Sequence, residues 1–217
     1  MQPDFWHKRW RLGQIGFHQT AADRQLRQYW PHLELAEGGR VFVPLCGKSL
    51  DLLWLREQSH AVIGVELSAV ALESFCLEHG VPARRRSLEN FDLYEAPKLQ
   101  LYSGDFLALS AQLLGPVDAV YDRAALIAWP PELRAAYVSH LTALTSRGTQ
   151  TLLITLEYPD EIAGPPFSVG TAEVERLYGA HHEIQRLSTV DVLAQEPRLR
   201  ARGITALHQT CYRLTRL

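Results

Sequence analysis

The stretch Arg40-Val41-Phe42-Val43-Pro44-Leu45-Cys46-Gly47-Lys48-Ser49 decides how this chain folds. Its opening residues, Arg40–Leu45, form a short apolar run that is continuous rather than alternating. That is the pattern of a strand buried on both faces. The run gives way to a turn with one glycine, and Ser49 then stands as N-cap of a helix carrying Leu52, Leu53 and Leu55. A second run, Ala61–Leu67, follows and ends in Gly64-Val65-Glu66-Leu67-Ser68, which puts a carboxylate at the strand tip 19 residues after Gly47. A strand, a tight turn, a helix and a second strand tipped by an acid make the opening unit of a nucleotide-binding α/β sheet.

The pattern continues outward from there. Further strand-like runs lie at Leu99–Ser103, Val117–Asp122 and Thr149–Glu157. Ser68 is placed to cap a helix with Val70, Leu72, Phe75 and Cys76. Pro131 suits the first turn of a helix striped by Leu133, Tyr137, Leu141 and Leu144. Alternation of this kind predicts an open, mostly parallel sheet with helices on both faces. Three segments fall outside it. Residues 1–38 form an arm before the first strand, with three of the five tryptophans and a helix near Ala22–His32. Residues 82–98 read as an inserted hairpin. Beyond Gly164-Pro165-Pro166-Phe167 come a helix near Ala172–Tyr178 and two β-rich stretches, Glu183–Val190 and Ile204–Leu214, expected to pair antiparallel. With no linker or repeat, residues 1–217 are expected to form a single domain: the arm, then an α/β core from residue 39.

Composition bounds the function. The 217 residues are 47% hydrophobic and 21% charged, as in ordinary globular proteins, which excludes disordered, collagen-like and coiled-coil chains. A net charge of −2 gives no pull toward nucleic acid or anionic membrane. No run approaches the ~18 apolar residues of a membrane span, and the N-terminus lacks the apolar core of a secretion signal. Three scattered cysteines make no disulfide framework or zinc site. The expectation is a soluble, cytoplasmic protein. It is also expected to be a monomer, because no extra apolar helical face stands out.

In an open parallel sheet the ligand lies beyond the carboxyl ends of the strands. Glu66 there is placed to accept both hydroxyls of an adenosine ribose. The turn before it has only Gly47, where a dinucleotide site needs G-x-G-x-x-G and a P-loop needs a glycine at Phe42. S-adenosylmethionine, which carries adenosine but no phosphate, suits this turn better. Asp105 and Phe106 then fall beside the adenine, Phe106 either as a ring cover or as a core aromatic. Arg123 either meets the methionine carboxylate, faces the substrate, or pairs with Asp122. His7, His18, His181 and His182 lack metal-ligand spacing, so no metal is expected. Cys46 reads as a packed thiol.

Together these motifs resemble the thiopurine S-methyltransferase family, in its bacterial form. The resemblance runs over nearly the whole chain. Its specific pieces are Phe17-His18-Gln19, Val43-Pro44-Leu45-Cys46-Gly47-Lys48, Val62-Ile63-Gly64-Val65-Glu66-Leu67-Ser68, Tyr121-Asp122-Arg123-Ala124-Ala125-Leu126 and Gly164-Pro165-Pro166-Phe167. It implies a class I methyltransferase fold, Rossmann-like, with a seven-stranded sheet whose last strand is antiparallel. It implies S-adenosylmethionine as donor, S-adenosylhomocysteine as product, and aromatic or heterocyclic thiols such as 6-mercaptopurine as acceptors. By position, cofactor contacts fall on Trp10, Leu45, Glu66 and Arg123, with Gly47 at the turn, Asp105 and Phe106 at the adenine, and Trp6 in an arm that folds over the site as a lid. Substrate contacts fall on Phe17, Pro165 and Pro166, on Arg123, and on an arginine of the loop before the last strand: Arg198, or else Arg200 or Arg202. No protein base is expected, because such thiols are already acidic; Arg123 is the candidate thiolate stabiliser. Methylation of selenium or tellurium species is the alternative within this chemistry. A nicotinamide-dependent oxidoreductase is the alternative outside it.

Overall fold

The computed structural model describes residues 3–159 and 164–217. Met1 and Gln2 of the arm, and residues 160–163 of the loop after Glu157, lie outside the described residues. Nine strands form one sheet: β1 Arg40–Pro44, β2 Ala61–Glu66, β3 Arg84–Ser87, β4 Asp92–Ala96, β5 Leu99–Ser103, β6 Ala119–Arg123, β7 Gln150–Glu157, β8 His182–Asp191 and β9 His208–Arg216. Their spatial order is β3-β4-β5-β2-β1-β6-β7-β9-β8. The five central strands, β5 to β7, are all parallel. β9 runs antiparallel to both of its neighbours. The seven strands from β5 to β8 are those expected, and the hairpin β3–β4, anticipated as an insertion, extends the sheet to nine by pairing onto β5.

Helices cover both faces: α1 Pro3–Arg11, α2 Arg24–Tyr29, α3 Asp51–Glu57, α4 Ala69–Glu78, α5 Ala111–Leu114, α6 Pro131–Leu144, α7 Thr171–Tyr178 and α8 Pro197–Ala201. The continuous apolar strands explain this layering, since each strand supplies side chains to two cores at once. Phe42, Ile63 and Val120 pack on one face with Tyr137 and Leu141 of α6. Val41, Val43, Val62 and Tyr121 pack on the other with Leu52 and Leu55 of α3 and Leu72 and Phe75 of α4. Leu26, Trp30 and Leu33 anchor the base of the arm in that second core, and the Trp30 indole donates to His60 Nε2 at 3.0 Å.

Several local expectations are corrected. The N-cap before α3 is Leu50, not Ser49; Ser49 Oγ instead accepts from the Asp51 amide at 3.2 Å. Ser68 stands at the N-cap of α4, but its hydroxyl makes no capping bond; its amide donates to Glu66 Oε1. Val70 faces solvent, since α4 buries Ala71, Leu72 and Phe75. The arm opens with a helix, α1, that apolar periodicity did not reveal; Trp10 is its buried residue. The connection between β8 and β9 holds α8, so β9 begins at His208 rather than Ile204. Among the described residues no helix is long and apolar enough to cross a membrane.

Candidate active site

The sheet order reverses between β1 and β6, because the chain moves to β2 on one side of β1 and later to β6 on the other. At the carboxyl ends of these strands opens a cavity of about 900 Å³. Its floor holds Leu45, Gly47, Glu66 and Arg123. The arm lays Trp6, Arg9, Trp10 and Phe17 over it. Pro165 and Pro166 close one side, and Glu196, Arg198 and Arg202 another.

Glu66 is the best-defined group. Its Oε2 accepts from the Gly47 amide at 3.0 Å and its Oε1 from the Ser68 amide at 2.9 Å. Burial pushes its carboxyl up to about 7, against the opposing pull of these amides. Each oxygen keeps acceptor capacity, so the group can still take two hydroxyls from a ligand. The turn that delivers the Gly47 amide is tight: Leu45 has φ +50° and Gly47 φ +54°. A Cβ on Gly47 would lie 3.2 Å from Trp10 Cζ2, so glycine here both relieves the left-handed backbone and lets the indole rest on the turn. Cys46 is packed, as expected. Its sulfur fills the space a Cβ on Gly64 would take, and burial, then the Glu66 charge, raise its thiol well above the usual range.

A side pocket of about 40 Å³ shares Leu45 and Leu67 with the main cavity. Val65, Phe106 and Trp129 line it, and Asp105 stands at its edge. Phe106 is a core aromatic, 5.0 Å from Tyr137 and 6.4 Å from Phe42 between ring centres, and the same ring walls the pocket. Asp105 is exposed and its Oδ1 accepts from the Leu107 amide at 3.0 Å.

Arg123 does not pair with Asp122. Neighbours on a strand point to opposite faces. Asp122 turns to the α6 side, where it accepts from the Leu126 amide at 3.0 Å and the Tyr137 hydroxyl at 2.7 Å. Arg123 turns to the arm side. Its Nε lies 3.1 Å from Asp23 Oδ2, and its Nη1 lies 3.6 Å from Asp51 Oδ2. The Asp23 amide and the Tyr121 hydroxyl both donate to Asp51, at 2.7 and 3.1 Å.

On the opposite wall, the choice among three arginines is decided by helical spacing. Arg198 and Arg202, four apart at α8, both line the cavity, and Arg200 does not. Arg198 lies directly against Gly16, where a Cβ would overlap its guanidinium. Arg202 Nη1 reaches the Pro165 carbonyl at 3.5 Å. In the arm, Phe17 meets Trp10 and Trp6 edge-on, at 5.6 and 5.8 Å. The structure thus brings Trp6, Trp10, Phe17, Leu45, Gly47, Glu66, Arg123, Pro165, Pro166 and Arg198 to one cavity, with Asp105 and Phe106 at its side pocket. Sequence reasoning missed Asp23, Asp51 and Glu196. Asp23 carried a signal, an Asp heading a helix; Asp51 and Glu196 sat inside segments read only as helix and loop. Among the described residues no group of three or more His, Cys, Asp or Glu is placed to hold a metal ion.

The family model "Thiopurine S-methyltransferase (TPMT)" matches residues 1–217. Thiopurine S-methyltransferase of Nitrosospira multiformis is 49% identical over 215 residues, covering 99% of this chain and 98% of that one. The Shewanella loihica protein of the same name is 46% identical, with both chains covered in full. Among solved structures, Burkholderia thailandensis 1,6-didemethyltoxoflavin-N1-methyltransferase, with bound 1,6-didemethyltoxoflavin and S-adenosylhomocysteine, superposes with a TM-score of 0.66 at 16% identity, covering 98% of this chain and 87% of that one. A TehB-like S-adenosylmethionine-dependent methyltransferase from Corynebacterium glutamicum gives 0.56 at 10% identity, covering 99% and 98%. Those two similarities concern the fold. The chain belongs to the thiopurine S-methyltransferase family, enzymes whose methyl donor is S-adenosylmethionine.

Proposed function

We propose that this enzyme methylates the sulfur of aromatic and heterocyclic thiols, thiopurines such as 6-mercaptopurine among them. The observation that carries the reading is the lining of the cavity. The same cavity that holds Glu66 also has apolar walls formed by Phe17, Ile127, Ile154, Leu156, Pro165 and Pro166. Those walls suit a flat, weakly polar ring. The names of the full-length relatives support the same class.

The residues present fit the donor. Glu66 is the ribose acceptor, and a single glycine suffices at the turn because no pyrophosphate approaches it. The side pocket takes the adenine edge-on, between Leu45, Leu67 and Phe106. Trp10 covers the turn, and Trp6 extends that cover. Arg123 offers its remaining donors to the carboxylate end of the donor. Its charge is matched by Asp23 and Asp51, so thiolate stabilisation passes to Arg198 on the facing wall. When bound, the donor supplies a methyl group already activated by its sulfonium charge. The chain's part is to align acceptor sulfur and methyl group and to exclude water, with the arm as the moving wall.

Incubation with methyl-labelled S-adenosylmethionine and either 6-mercaptopurine or a matched phenol tests this reading. Label transfer to the thiol and not the phenol is expected. Saturable donor binding without transfer would keep the family's cofactor and remove the acceptor class.

A further inference from the structure

Where the proton of the acceptor thiol goes is a question the sequence left without a residue. Heteroaromatic thiols are acidic enough to ionise partly near neutral pH, but weaker thiols must lose a proton before their sulfur becomes nucleophilic. The described residues that line the cavity include no His, Lys, Tyr, Cys or Asp; their only side chains able to take a proton are Glu66 and Glu196. Both oxygens of Glu66 are held by backbone amides at the donor end. Glu196 is different. It stands at the N-cap of α8, fixed by its backbone: its carbonyl accepts from the Leu199 and Arg200 amides at 3.1 Å each, and its amide donates to the Leu193 carbonyl at 3.3 Å. Among the described residues no hydrogen bond or ion pair engages its carboxylate. The charges that act on that carboxylate are Arg123 from β6, Arg198 from α8 and Asp23 from the base of the arm. Burial, the largest effect, together with Asp23 raises the carboxyl above its ordinary value, against the pull of the two guanidiniums. That combination suits a base.

We propose that Glu196 is a catalytic residue that accepts the acceptor's proton. This rests on the reading of the cavity as a thiol methylation site. The acceptor S–H bond breaks, a new O–H bond forms on the Glu196 carboxylate, and the electron pair stays on sulfur. That sulfur then takes the methyl group. Glu196 is partly exposed, so its proton passes afterwards to water. Arg198, two residues on, faces the same space and stabilises the anion that is left.

A series of substituted thiophenols of graded acidity tests the proposal, using the full chain and its Glu196→Gln variant. With 4-methoxythiophenol, a weak acid, Glu196→Gln is expected to lower kcat/KM by about 100-fold, the scale of general-base catalysis, and raising the pH should restore it. With 4-nitrothiophenol, which is ionised in solution, the variant should stay within about threefold of the parent. A second readout does not depend on turnover. In the complex with S-adenosylhomocysteine, the thiolate absorption of bound 4-methoxythiophenol should appear at higher pH in the parent than in the variant, because the Glu196 carboxylate beside the sulfur opposes a second negative charge. Glu196→Ser, which supplies an N-cap hydroxyl, should repeat the pattern should Glu196→Gln disturb α8. An equal loss for every thiol, or no loss for any, overturns the proposal. Failure of the parent enzyme to methylate even 4-nitrothiophenol would instead overturn the acceptor class on which it stands.

Discussion

The guanidinium of Arg123, at the end of β6, is held by Asp23, the residue at which the arm joins the core, with Nε 3.1 Å from Oδ2. Asp23 has a second task. Its Oδ1 accepts from the Gln25 and Leu26 amides and so caps α2. One carboxylate therefore starts the helix that anchors the arm and fixes an arginine in the cavity floor. Asp51 completes the seat from α3, so a single guanidinium lies against two buried acids.

Loss of that arginine is expected to be costly. Arg123→Ala leaves Asp23 and Asp51 buried without a countercharge, and breaking a buried pair from one side costs about 3–5 kcal/mol. The denaturant midpoint should fall accordingly. Asp51→Asn added to Arg123→Ala should recover part of the loss, because one of the two stranded charges is gone. Independent, additive effects in the double variant would show that the seat is not a unit.

Glu66 sets an expected pH dependence with two opposite signs. Burial raises its carboxyl from 4.5 to about 7, so folding favours the protonated form. Its contribution to stability is full below the unfolded value of 4.5 and is lost as pH rises through about 7, on the order of 3 kcal/mol in all. Donor binding follows the other sign, since two ribose hydroxyls need a carboxylate that accepts. Affinity for S-adenosylhomocysteine should climb between about pH 5.5 and 7 and then level off. Calorimetry across that range should show the slope in the parent and a flat, weaker profile in Glu66→Gln. A flat profile in the parent would remove Glu66 from the ribose.

The parts of this molecule that sequence made legible are those set by local chemistry. β1 and β2 are marked by continuous apolar runs, and Glu66 by its place at a strand tip. The hairpin β3–β4 was visible through its flanking prolines. Pieces held by long-range pairing stayed hidden. Asp51 gives no local sign that it meets Asp23 and Arg123, because its partners come from 28 residues before it and from the end of β6. Pairing Arg123 with Asp122 failed on strand geometry alone. Helix α1 escaped because its apolar residues Trp6 and Trp10 close a cavity instead of a core face, while Phe5 stays exposed. The acceptor wall at α8 was narrowed to three arginines, and only the helix that forms there separates Arg198 and Arg202 from Arg200.

The contact between Gly47 and Trp10 offers the sharpest test of the arm as a lid. Gly47→Ala meets two obstacles: a left-handed backbone at φ +54° and the indole 3.2 Å from the new Cβ. The backbone alone costs about 1–2 kcal/mol, and displacement of Trp10 adds to that. Removing the chain through Thr20 takes Trp6, Trp10 and Phe17 away and leaves Leu26, Trp30 and Leu33 in the core, so the shortened protein should still fold. It should bind S-adenosylhomocysteine at least about tenfold more weakly, a loss of roughly 1.4 kcal/mol. In that background Gly47→Ala should cost only the backbone strain, because no indole remains to be displaced. Denaturation and calorimetry on the four proteins separate the two parts. If the shortened chain keeps full donor affinity, the arm covers the sheet but does not close the site.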